Sequence, residues 1–344
     1  MPRGTKKKKE EKGLSREGLL TTLNKLKPGL ASKDVVEQAT SFVFADGMAW
    51  SYNDEIACSI VLPEEVDIEG AVPADPLLKL LSKGKASTVE IFMEEGELRV
   101  HCGRSRAGLA LEEAKLPVSE IPMPGNDDWS DLPKNFLHAV SLTVLACSMD
   151  MSAPILTCLS IGKDSVQASD GFRITWYKLK GMKEAFLLPA AAAKHLGSFK
   201  PEASALAEGW VHFINAEDAV LSCRTVMGKY PDITPHLKVK GEEMKLPKEL
   251  NEILDRAGVF ADAEFEQDEE VEMNFDDGVL LVSARGENGW IKEEVEIEGG
   301  GASFSITVNP SILQAALKLN HTCVIGESAM LIQGKDFKHV VSLV

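Results

Sequence analysis

The residues of this chain able to do chemistry are numerous but scattered. Three acidic clusters, Asp268-Glu269-Glu270, Asp276-Asp277 and Glu293-Glu294, carry the side chains that bind divalent cations. All three fall in expected turns and strand edges, where solvated surface charge is the expected role. His138 and His195 stand singly, which suits surface or satisfied positions better than catalysis. The six cysteines (Cys58, Cys102, Cys147, Cys158, Cys223, Cys323) form no CxxC pair and have no His at ligand spacing. That pattern points to free thiols in a reducing compartment rather than to zinc or disulfides. The sequence contains no G-x-x-x-x-G-K-[ST] phosphate loop, no G-x-G-x-x-G and no H-E-x-x-H, and no serine in a nucleophile elbow. The expectation is a protein that is not an enzyme, with no catalytic residue, metal or cofactor. What remains is a recognition feature, QASDGFRITWYKL at 167–179. It alternates like a strand but is interrupted by Asp-Gly-Phe-Arg. Asp170, Gly171 and Arg173 form either an ordinary tight turn, with Phe172 and Ile174 as core, or part of a working surface.

The elements that must position this turn repeat three times. Each repeat opens with an amphipathic helix: SREGLLTTLNKLK, then PKNFLHAVSLTVLAC from Pro133, then PKELNEILDRAG from Pro247. Proline at the start of the second and third suits a first helical position. A hairpin follows each, with Asp-Gly or Lys-Asp between alternating runs, as in FVFADGMAW and NFDDGVLL. A short strand leads into a second helix, in PADPLLKLLSKG, LLPAAAAKHLGSF and VNPSILQAALKL, and a closing hairpin ends the unit. Two helices on one face of antiparallel sheet make an α+β architecture. A period of over a hundred residues is too long for a solenoid.

Charge is distributed unevenly over these elements. The chain of 344 residues is 44% hydrophobic and 26% charged, as suits a globular protein with a sizeable core, and its net charge is −16. Over the helix windows 15–27, 76–85, 133–147, 189–200, 247–258 and 310–320 there are 12 basic residues, among them Arg16, Lys85 and Lys248, against four acidic ones. The helices therefore sum to +8 and the rest of the chain to −24, and four windows contain no acid. Solvated helix faces normally mix both signs. Basic helices on an acidic protein suit a concave surface for DNA, read through phosphates without sequence preference. No apolar run approaches a membrane span and no secretory signal opens the chain, so a cytoplasmic protein is expected. The tail 1–13, MPRGTKKKKEEKG, is expected to be disordered. It serves either solubility or contact with a polyanion.

With repeats and basic helices in place, ASDGFR at 168–173 and MGKYPDITPHL at 227–237 resemble two motifs of bacterial-type DNA polymerase III beta subunits, the sliding clamps. There the patterns are T-D-G-H-R-L and G-x-F-P-D-Y. The resemblance implies three tandem sliding-clamp domains, over 14–122, 123–241 and 242–344, each with two helices packed on antiparallel sheet, assembling into a closed ring. It further implies a head-to-tail homodimer around double-stranded DNA that tethers a DNA polymerase and is opened by a clamp loader ATPase. Partner peptides would dock in a pocket formed by Ile155, Ser169, Gly171, Phe172, Arg173, Ile174, Met330, Val340 and Ser342, with Arg173 able to give the peptide an orienting hydrogen bond. DNA would be met by Lys33, which stands where the family often has Arg, and by Lys25, Lys27, Lys79, Lys83, Lys134, Lys194, Lys200, Arg256 and Lys318. This chain departs from the family at Phe172 (often His), at Tyr230 (often Phe), and at its end, HVVSLV, which lacks the family's M-P-M-R-L close. Such divergence would suit a phage-encoded or specialised clamp in bacterial or infected-host cytoplasm. The alternative from another class is a tandem-domain interaction scaffold that never encloses DNA. A related option, a two-domain-type clamp assembling as a trimer, conflicts with the third repeat.

Overall fold

The computed structural model describes residues 14–33, 36–64, 66–261, 269–298, 303–318 and 320–342. The basic tail expected over 1–13 lies outside them. The chain divides into two units, one made of residues 1–132 and 195–225, the other of 133–194 and 226–344.

In the first unit α1 (Arg16–Asn24) starts at Ser15, whose hydroxyl accepts from the Gly18 N–H at 3.1 Å, a standard N-cap. It buries Leu19 and Leu23. The expected extension to residue 27 is replaced by a 3-10 turn, Lys27–Gly29, because Pro28 has no N–H to continue the ladder. α2 (Ala74–Lys83) buries Ala74, Leu77 and Leu81 and stops at Gly84. It begins two residues before the expected window and so takes in Asp75, which pairs with Lys79 at 2.7 Å. The second helix, unlike the window expected for it, is therefore not free of acid.

The second unit holds α3 (Phe136–Thr143), which buries Phe136, Ala139 and Val140. It starts three residues after Pro133, which instead accepts from Phe136 N in a turn. α4 (Ala190–Phe199) runs through the division between the units. α5 (Leu250–Gly258) buries Leu250, Ile253, Leu254 and Ala257, at helical spacing. α6 (Pro310–Leu317) starts at Asn309, whose side chain accepts from Ile312 N, with Pro310 in the first turn.

Strands follow the expected hairpins. Asp46-Gly47 has φ of +52° and +71°, and Asp277-Gly278 +41° and +83°. Two successive positive φ values are what a type I′ hairpin turn demands, and Asp-Gly meets that demand cheaply. The strands pair antiparallel into four sheets. In the first unit a long sheet runs Gly70–Pro73, Ser41–Ala45, Met48–Tyr52, Ile56–Val61, Val220–Arg224, Trp210–Asn215, Pro201–Ala207, Ser130–Asp131, and a short one Leu14–Ser15, Thr88–Glu94, Glu97–Cys102, Ser105–Ala110. In the second unit the long sheet runs Phe186–Pro189, Cys158–Ile161, Ser165–Ser169, Arg173–Lys178, Phe337–Ser342, Ala329–Gln333, Thr322–Ile325, Glu242–Lys245. The short one there runs Gly289–Glu296, Val279–Gly286, Val271–Asp276, Phe304–Val308.

Each long sheet crosses a repeat boundary. The opening half of repeat one joins the closing half of repeat two where Leu221 faces Cys58 and Cys223 faces Ile56. The opening half of repeat two joins the closing half of repeat three where Ile174 faces Val340 and Thr175 faces His339. The units thus divide repeat two between them, although its sequence is continuous. The architecture is α+β with antiparallel sheets, as expected. All six cysteines are buried free thiols, and burial pushes Cys58, Cys147 and Cys323 up to about 12.

Candidate functional site: a cleft beside the Asp-Gly-Phe-Arg turn

The turn after strand Ser165–Ser169 is held by its own polar atoms. Asp170 Oδ1 accepts from the N–H groups of Phe172 (2.9 Å) and Arg173 (3.0 Å), the geometry of an Asx turn. Ser169 Oγ donates to Arg173 O at 2.8 Å and accepts from Gly171 N at 3.2 Å. Gly171 sits at φ +98° with open space where a Cβ would be, so backbone conformation, not crowding, demands glycine there. These bonds push Phe172 outward, 77% exposed.

The two motifs that carried the resemblance meet here. The Tyr230 hydroxyl accepts from the buried Ser169 N–H at 2.8 Å, and burial holds its phenol well above the usual range. Tyr230 packs with Ile233, Leu237, Cys158, Leu331 and Val340, and Ile174 and Trp176 lean on the same cluster. Gly228 allows Ile155 to pack, because a Cβ there would lie 2.8 Å from its Cδ1.

Two cavities flank Phe172. The larger, about 970 Å³, is lined by Ser169, Gly171, Phe172, Arg173, Ile174, Val340 and Ser342, together with Leu156, Ile233, Val239 and Ala329. Seven of the nine expected pocket residues thus line this cavity. Ile155 does not line it; its neighbour Leu156 does, while Ile155 supports the layer below. Met330 is fully buried and pairs with Val341, one residue out of phase with Leu331 and Val340. Strand alternation turns it to the opposite face of the sheet. Arg173 is also placed differently from expectation. Its side chain is 8% exposed and its Nε lies 2.7 Å from Asp170 Oδ2, on the face of the sheet that carries Thr175 and His339. It braces the turn from behind. Of the shortened end, Ser342 is in place, its N–H donating to Phe172 O at 2.8 Å; residues 343 and 344 lie outside the described residues.

The second cavity, about 580 Å³, shares Leu156, Phe172, Arg173 and Ser342 and adds Met149, Asp150, Glu269, Glu270, Ile312 and Leu313. Sequence reasoning missed this half entirely. It also missed Pro231, Ile233, Pro235 and His236 as walls of the larger cavity, although they belong to the MGKYPDITPHL motif itself. Among the described residues no group of three or more His, Cys, Asp or Glu could hold a metal ion, and no helix is long and apolar enough to cross a membrane.

The basic residues expected at DNA divide into two groups. Lys25 is half-buried and paired with Glu217, Lys79 with Asp75, and Arg256 doubly with Glu293 at 2.5 and 3.0 Å. Lys27, Lys33, Lys83, Lys134, Lys194, Lys200 and Lys318 are exposed. They make no ion pair with a described residue.

No protein-family model matches the chain, and no curated protein matches it. Solved structures do. A DNA polymerase III beta chain from Streptococcus pneumoniae superposes with a TM-score of 0.79 at 18% identity, over 96% of this chain and 98% of that one. A DNA polymerase sliding clamp from Bacillus subtilis gives 0.77 at 19%, and a DNA polymerase III beta subunit from Thermotoga maritima 0.79 at 18%, with the same coverage. The fold is that of the DNA sliding clamps. At this identity it is the fold that is shared, in keeping with a divergent sequence carried on a common frame.

Two consequences are measurable. Tyr230→Phe leaves the buried Ser169 N–H without the hydroxyl it donates to. It should destabilise the protein by about 1–3 kcal/mol, read as a lower midpoint in urea denaturation. His339, bonded at 2.8 Å to Thr175 across the strand pair that carries the cleft, is held down to about 4 by burial and by nearby Arg173. Its folded value is below the unfolded 6.5, so the stability it contributes is full above pH 6.5 and is lost as pH falls towards 4. Melting curves from pH 7 to 4.5 should show a loss that His339→Gln reduces.

Proposed function

We propose that this chain is a processivity clamp: two copies, joined head to tail, enclose duplex DNA and tether a polymerase through a peptide held beside Phe172. The observation that carries the reading is the pairing pattern of the sheets. Twice, the opening half of one repeat joins the closing half of the next. Continued, that pattern leaves two halves without a partner among the described residues, the closing half of repeat one and the opening half of repeat three. They are the short sheets. Their outer strands, Ser105–Ala110 and Gly289–Glu296, occupy the positions whose counterparts are joined in the long sheets. A second copy supplies each missing half, and the same heterologous contact made twice closes a ring without an open edge.

Charge supports the match. Arg104, just before the first of these strands, and Arg106 within it face solvent, whereas the second presents Glu294 and Glu296 beside Lys292. Inside the ring, Lys27, Lys33, Lys83, Lys134, Lys194, Lys200 and Lys318 are the cations available for phosphate. Lys25, Lys79 and Arg256 are already ion-paired. Contacts to phosphate alone leave the ring free to slide. The shared fold of the sliding clamps supports the same reading.

The clamp should remain on nicked circular DNA and run off the same DNA once linearised; equal release from both would reject encirclement and favour a scaffold. Lys83→Glu and Lys200→Glu together should weaken binding uniformly across sequences and flatten its salt dependence by about one unit of slope per residue. Arg256→Glu should do less. Reversing Arg104 and Arg106 to Glu should weaken dimerisation at least tenfold, about 1.4 kcal/mol, by sedimentation. Mixing with a copy carrying Glu294→Arg and Glu296→Arg should restore it.

A further inference from the structure

The two cavities beside Phe172 differ in charge, and the smaller one is acidic. Its lining includes the carboxylates Asp150, Asp170, Glu269 and Glu270. Arg173, the cation among these lining residues, is ion-paired with Asp170 at 2.7 Å, and Asp150 and Glu270 are exposed carboxylates on the cavity's lining. Asp150 is fixed by Ser152, which donates from its N–H (2.8 Å) and its hydroxyl (2.7 Å). Those bonds hold its carboxyl below the usual range and keep it ionised at neutral pH.

Apolar surface lies between these charges. Ile312 and Leu313 of α6 line the cavity, Met149 at its rim is 58% exposed, and Phe172 is 77% exposed. A long side chain with an aliphatic stem and a cationic head matches this arrangement. The stem covers Ile312, Leu313 and Met149, the head reaches Asp150 and Glu270, and the ring of Phe172 offers a face for a guanidinium or ammonium. A neutral or acidic side chain would leave the carboxylates facing a desolvated neighbour.

We propose that the smaller cavity selects a lysine or arginine of the partner peptide, next to the apolar residues that fill the larger cavity. The partner is therefore a basic-apolar segment rather than a purely apolar or acidic one. This rests on the peptide-binding reading above and adds to it the charge of the guest. Selection works in both directions: a cation gains at Glu270, and an acidic peptide is repelled.

The test uses fluorescein-labelled twelve-residue peptides that share a central Leu-Leu pair and carry Lys-Lys, Ser-Ser or Glu-Glu on either side of it. Anisotropy titrations with the full-length protein at low salt should rank Lys-Lys over Ser-Ser over Glu-Glu, with at least a tenfold span between the ends. That span should collapse in 0.5 M salt. In the Asp150→Lys, Glu270→Lys variant, which changes only exposed side chains, the order should reverse. Ser-Ser should bind both proteins alike, which serves as the control for folding. Equal affinity of all three peptides for the wild type would overturn the charge preference while leaving the peptide site standing. No binding by any peptide would reject the peptide site and this inference together.

Discussion

A strand with an open edge exposes a row of backbone donors and acceptors that something must pair, and the arrangement of this chain follows from how that need is met. No repeat closes its own sheet. The opening halves of repeats one and two each end on a strand that is completed by the next repeat, so Ile56–Val61 joins Val220–Arg224 and Arg173–Lys178 joins Phe337–Ser342. The benefit is continuity: each junction joins two half-sheets into one run of eight strands. The cost is that the ends of the series are left incomplete. In the proposed ring, assembly between copies would be an extension of folding, using between chains the backbone pairing that operates twice within one.

The cleft is a product of one of those junctions. Val340 reaches the wall that Ile174 forms because the two are opposite each other across the strand pair. The Asp-Gly-Phe-Arg turn is fixed from three sides, by Asp170 within the turn, by Tyr230 from the second motif and by Ser342 from the last strand. A turn held so firmly can present Phe172 to solvent without the loop collapsing over it. Rigid support under an exposed aromatic is the usual physical basis of a recognition surface.

How far the sequence revealed this depended on the range of the interaction concerned. Helices were legible from Leu19 and Leu23, or Ile253, Leu254 and Ala257, at helical spacing, and hairpins from Asp46-Gly47 and Asp277-Gly278, since these are local properties. The wall of the larger cavity was legible through the turn, because its motif fixes local geometry. Met330 was misplaced by one residue, and in a strand one residue is the difference between two faces. The acidic cavity was not legible at all. It gathers Asp150, Glu270 and Leu313 from segments more than a hundred residues apart at the extremes, and no spacing encodes that meeting. Nor could a list of lysines reveal that Lys25 faces Glu217, or that Arg256 is clasped by Glu293 from a neighbouring strand.

The strand pair that brings Thr175 against His339 also sets an order of events during synthesis. Residues 165–178 leave the ribosome long before residues 337–342, and until the later strand arrives the earlier one has an open edge where Val340 and Ser342 will lie. The cleft is therefore completed by the last described strand of the chain, however early its turn is made. A nascent chain exposes Phe172 on an unfinished sheet, and the proposed peptide site would lack one wall until translation has passed residue 342. Under the proposed function, partner capture would be confined to chains whose final sheet has closed.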